Sequence, residues 1–112
     1  MRGSKVYLGD ILRSIERIER YVKGISSKEE FSKNELVVDA VTRNLQIIGE
    51  AVKNLPIDAK KKHSEIEWKK IAGLRDILTH AYFGVEMAII WDIIGNHLPA
   101  LKIAVKSMLG DK

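Results

Sequence analysis

The chain predicts an all-α fold: one up-and-down bundle of about four helices. Three observations carry this. Apolar residues recur at steps of three and four along most of the sequence. No stretch alternates apolar and polar residues as a half-buried strand does. No internal repeat and no long Gly/Ser linker divides the 112 residues, so a single domain spanning 1–112 is expected.

The first helix is read from Leu8, Ile11, Ile15, Ile18, Val22 and Ile25, which form one stripe. Arg13, Glu16, Arg17, Glu19, Arg20 and Lys23 occupy the opposite face, and Glu16 with Arg20 is an i,i+4 pair. Gly24, Ser26 and Ser27 end this helix. Ser27 with Glu30 has capping-box spacing and marks a new helical start. The second helix is expected from about Ser32 to Leu55, with Val37, Val41, Leu45, Ile48, Val52 and Leu55 as its main stripe. Val38, Ala40, Ile47 and Ala51 widen the apolar surface, which implies cover by two neighbours, or by one neighbour and another subunit. Pro56 closes it.

A polar connection with Lys60-Lys61-Lys62-His63 follows. The third helix starts near Glu67, points Trp68, Ile71, Leu74 and Leu78 inward, and ends between Tyr82 and Gly84. The fourth starts near Val85 and carries Ala88, Trp91, Ile94, Leu98, Leu101, Val105 and Met108. Pro99 interrupts this pattern, lacks a backbone donor and clashes with the preceding turn. A kink or break is therefore expected near Gly95–Leu98.

Composition narrows the function. Hydrophobic residues at 46% supply a core and charged residues at 30% a solvated surface. The absence of cysteine excludes disulfides and Cys-based zinc sites. The first twenty residues carry charges throughout, unlike a signal peptide, and no apolar run reaches the roughly 18 residues of a membrane span. The expectation is a cytoplasmic protein without membrane contact. A net charge of +4 suits an acidic partner, RNA included.

The segment Arg75-Asp76-Ile77-Leu78-Thr79-His80-Ala81-Tyr82 concentrates the chemistry. RNA is cut when its 2′-hydroxyl attacks the adjacent phosphate. That reaction needs a base, an acid and positive charge near the phosphoryl oxygens. His80 suits either proton role because an imidazole titrates near neutrality. Arg75 suits the charge role because a guanidinium forks onto phosphate oxygens. No metal or other cofactor is needed for this route. Asp76, four before His80, has the spacing to hold its imidazole. Thr79, four after Arg75, has the spacing to bond a phosphate or the helix backbone. On an ideal helix Arg75 and His80 diverge by about 140°. Either the helix ends before His80, or the site is shared between the two chains of a homodimer, which also supplies a second imidazole.

A plainer reading stands beside this one. Arg75 and Asp76 can be surface charges, His80 a last-turn residue favoured by the helix dipole, and Tyr82 an aromatic at the core edge. The lysine run can track an RNA backbone or form a solvated loop. His63 and His97 lack ligand-like spacing to carboxylates, so no metal site is expected. Trp68 and Trp91 fit core stripes, and no Gly-rich phosphate loop is present.

Arg75, His80 and Tyr82 form the pattern Arg-x4-His-x-Tyr, which resembles the signature of the HEPN superfamily. The segments at 7–12, 43–51, 68–76 and 91–94 are similar in order to the blocks of HepT toxins from HepT/MNT toxin–antitoxin pairs. The resemblance covers nearly the whole chain. It implies a dimerising helical bundle with metal-independent endoribonuclease activity, and Arg75 and His80 at the dimer cleft. It also implies a nucleotidyltransferase antitoxin of the MNT type as partner, which neutralises the toxin by transferring AMP to Tyr82. Added there, AMP brings bulk and negative charge to where an RNA phosphate sits. The alternative is a non-catalytic helical module that binds a nucleotide or the partner through Arg75 and His80. Arg43 and Glu50 lie in a matching block, and an ion pair fixing the bundle is the role expected of them.

Overall fold

A computed structural model describes the backbone of residues 2–80 and 84–110, with side chains at 3–78 and 87–110. Among these residues every regular element is helical. The order is α1 (Arg2–Tyr21), α2 (Lys28–Lys33), α3 (Glu35–Lys53), α4 (Ile57–Lys61), α5 (Trp68–Ala72), α6 (Leu74–His80), α7 (Gly84–Asn96) and α8 (Leu98–Gly110).

The two longest helices, α1 and α3, make the most extensive pairing in the bundle. Ile11, Ile15 and Ile18 of α1 are fully buried, as are Val41, Leu45, Ile48 and Val52 of α3. Each such side chain contributes about 1.5–3 kcal/mol of transfer free energy. The second side of α1 is covered by α8, and the second side of α3 by α5 and α6. The wide apolar surface of α3 is thus met by two neighbours within the chain, with Val38 and Ile47 left partly exposed.

Capping explains the divisions. Ser27 caps α2, its hydroxyl accepting from the Glu30 amide at 3.1 Å. The Glu30 carboxylate returns the bond one residue further out, accepting from the Ser26 amide at 2.9 Å and the Ser26 hydroxyl at 2.8 Å. The second helix does not run continuously from Ser32. Asn34 ends α2 and starts α3, its Oδ1 accepting from the Val37 amide at 3.1 Å. This break turns Phe31 into the core, where its ring lies 5.3 Å from that of Trp91 and seats α2 on α7. Gly24, at φ 87°, supplies the left-handed turn after α1.

The third helix is two short ones, separated at Gly73. The fourth is divided at His97, and the axes on either side differ by 48°. The His97 carbonyl accepts the first bond of α8, from the Leu101 amide, so Pro99 falls in a first turn where its missing N–H costs nothing. In α7 the inward residues are Ile90 and Ile93, whereas Ala88, expected inside, is exposed. An almost wholly apolar helix gives no single stripe to follow. No single helix among the described residues is long and apolar enough to cross a membrane, and α7 with α8 reaches that length only as a bent pair.

Candidate active site

The site begins with a glycine. At Gly49, on the side of α3 facing α5 and α6, a Cβ would stand 3.2 Å from the Ile71 carbonyl oxygen and 3.4 Å from the Arg75 amide nitrogen. A residue without a side chain lets the two backbones approach this closely without crowding. The consequence falls on the next residue. Glu50 meets Arg75 across the helix boundary, with Oε1 3.0 Å from Nη1. Both side chains are more than half exposed, so the pair orients the guanidinium more than it stabilises the fold.

Arg75 thereby stands in the wall of a groove of about 460 Å³ between α1, α3 and α6. Tyr7 and Asp10 line it from α1, and Arg43, Gln46, Ile47 and Glu50 from α3. Two guanidiniums, two carboxylates, a phenol and an amide share one surface depression. Guanidiniums of this kind fork onto phosphate oxygens, and the Glu50 carboxylate holds that of Arg75 in place before an anion arrives. The expected ion pair of the α3 block is real for Glu50, but its partner is Arg75. Arg43 faces the same groove.

His80 is the last described residue of α6, so Arg75, Asp76, Thr79 and His80 share one helix. The helix does not end before His80, which sets aside one of the two ways of reconciling the spacing. Asp76 is exposed and, like Arg75, engaged in interactions of its own. The side chains of Thr79 and His80 lie outside the described residues, and so does Tyr82 entirely.

Tyr7, Arg43 and Gln46 were not singled out as site residues from sequence. Positions 43, 46, 47 and 50 fall on one face of a helix. That periodicity, with two opposite charges flanking an apolar residue, was the available signal. Elsewhere, His97 Nε2 lies 3.4 Å from Asp92 Oδ2. Asp92 also accepts from Asn96 Nδ2 at 2.6 Å. That bond first, then the charges of His97 and Lys70, holds its carboxyl below the ordinary 3.8. No group of three or more metal-ligating side chains occurs among the described residues.

A helical bundle in which Arg75, on the helix that also bears His80, lines an arginine-bearing groove suits a ribonuclease of the HEPN type. The chain belongs to the HepT-like ribonuclease family: the family model described as "Ribonuclease HepT-like" matches residues 11–108. It is 48% identical over 109 residues to a "Putative RNase" of Caldanaerobacter subterraneus subsp. tengcongensis, covering 97% of this chain and 96% of that one. It is 45% identical over 101 residues to the "Probable ribonuclease HepT" of Thermococcus cleftensis, covering 90% and 91% of the two chains. No solved structure matches the chain significantly.

Proposed function

We propose that this chain is the toxin of a HepT/MNT-type pair, a homodimeric endoribonuclease that cuts RNA without a metal ion. The observation that carries the proposal is the placement of Arg75. Its guanidinium, on the same helix that bears His80, lines an open groove and is paired with Glu50.

In this mechanism the substrate's own 2′-oxygen forms a bond to phosphorus and the bond to the 5′-oxygen breaks. One imidazole takes the 2′-hydroxyl proton and another protonates the leaving 5′-oxygen. A single His80 cannot do both in one step, and a two-fold dimer brings two copies to one cleft. Arg75 neutralises charge growing on the phosphoryl oxygens. Asp76 and Thr79 support His80 and Arg75 from the same helix.

Regulation falls to Tyr82. The antitoxin transfers AMP from ATP to its phenol oxygen, with pyrophosphate leaving, and the added phosphate repels the substrate strand.

The test is RNA cleavage in EDTA. Wild type should cut and His80→Ala should not, while equal cutting by both removes His80 from the mechanism. Protein that binds nucleotide yet leaves every RNA intact points instead to a non-catalytic binding module. With the cognate antitoxin and ATP, wild type should gain the mass of AMP and Tyr82→Phe should not.

A further inference from the structure

The lysine run after α4 does not stand alone. The Pro56 turn and the α4–α5 connection bring Lys60 and Lys61 together with Lys53, from the end of α3, and Lys69, from α5. These four line a second groove of about 630 Å³, against one acidic side chain, Glu67. None of the four lysines forms an ion pair among the described residues, whereas Lys70 and Lys102 each do. Their charge is available to an anion.

The groove is also held in shape. The Trp68 indole N–H donates to the Lys60 carbonyl at 3.0 Å and to the His63 carbonyl at 2.9 Å. This ties the end of α4 to the start of α5. With its N–H used, what Trp68 offers the groove is carbon, and Ile57 beside it is 68% exposed. Cations around an apolar, partly aromatic floor fit a single nucleic-acid strand, whose phosphates meet the lysines and whose bases meet the ring and the aliphatic surface.

We infer that this groove is a second RNA-binding site, which carries the substrate strand as it runs away from the arginine groove. The inference rests on the ribonuclease reading of the motif. Its position supports it: Ala72, in the lysine groove, precedes Arg75 by only three residues. The two grooves also share α3, which gives Glu50 and Ala51 to the arginine groove and Lys53 to the lysine groove.

The test uses the full chain and a 2′-O-methyl RNA of roughly 12 nucleotides, within the length such grooves bind. That RNA cannot react through its 2′-oxygen. Binding is followed by fluorescence anisotropy over a salt series. The slope of log affinity against log salt should fall by about 0.7 for each lysine replaced by alanine, roughly 3 for all four, with affinity down at least tenfold. Lys28→Ala with Lys33→Ala, on α2, should change neither, and circular dichroism confirms that each variant is folded. A four-lysine variant with the wild-type slope and affinity overturns the inference. So does a poly-glutamate peptide of equal charge that displaces the RNA at the RNA's own affinity, since the groove would then suit an acidic protein segment. A His80→Ala chain that cuts ordinary RNA at the wild-type rate overturns the motif reading instead and leaves these binding slopes unmoved.

Discussion

Gly49→Ala sets two effects against each other at one methyl group. In an exposed helix interior this change stabilises by about 0.5–1 kcal/mol, because glycine loses more backbone freedom on folding. Here the new Cβ would lie 3.2 Å from the Ile71 carbonyl oxygen, 3.4 Å from the Arg75 nitrogen and 3.6 Å from the Ala72 carbonyl oxygen. All three are backbone atoms, so no side-chain rotamer relieves the crowding. The α5–α6 segment must move away from α3 by a few tenths of an ångström, at the roughly 1–3 kcal/mol typical of overpacking. The expected net is a loss of about 1 kcal/mol, or about 4 °C in a thermal melt for a chain of this size. The same movement draws Arg75 from Glu50, so RNA cleavage should fall more steeply than stability does. Gly49→Val should be worse in both measurements. A Gly49→Ala protein that melts higher than wild type and cuts RNA at the same rate would refute the claim that backbone approach at this residue builds the site.

Glu50→Gln should leave the melting temperature within about 2 °C, since both partners of its ion pair are exposed, yet lower the cleavage rate without weakening RNA binding. An unchanged rate would show that Arg75 needs no such anchor. Asn44 is 5% exposed, and its Oδ1 has no hydrogen-bond partner among the described residues, although Nδ2 donates to the Ala40 carbonyl. Asn44→Leu should therefore be neutral or stabilising by about 1 kcal/mol in urea unfolding, and a clear loss would reveal a donor to that oxygen in the working protein. The pH profile of melting should fall on both sides. Asp92, through Asn96, and Glu30, through Ser26, are held below their ordinary 3.8 and 4.5. The unfolded chain then binds protons more readily, so their contributions are present above those values and lost as the pH falls through the folded ones. Lys102, raised above 10.5 by the hydrogen bond it donates to Glu19, contributes below that value and loses its contribution as the pH rises through the folded one. Melting that stays flat from pH 2 to 12 would contradict these assignments.

The stripes of α1 and α3 were legible because each has one apolar period and a charged opposite face, and Ile11, Ile15, Leu45 and Ile48 are buried as their spacing requires. The α7 stripe was not, since apolar residues so outnumber its few polar ones, Glu86, Asp92 and Asn96, that spacing does not say which face turns inward. The divisions at Asn34 and Gly73 were missed because helical periodicity continues across both. What marks them is a side-chain cap at Asn34 and a close backbone approach beside Gly73, and the second belongs to packing. Arg75 and His80 stood out by residue type. The pairing of Arg75 with Glu50 spans 25 residues and depends on Gly49, so no local pattern announces it. The lysine groove was half visible. Lys60 and Lys61 are a run, but Lys53 and Lys69 join them only through the fold.

The α1 helix touches both early and late parts of the chain. Its pairing with α3 closes a hairpin of near neighbours, whereas its pairing with α8 joins residues 83 positions apart, Glu19 and Lys102 among them. During synthesis the first hairpin can zip up while one flank of α1 stays bare until α8 emerges. Mutations on the α8 flank should therefore speed unfolding more than they slow folding.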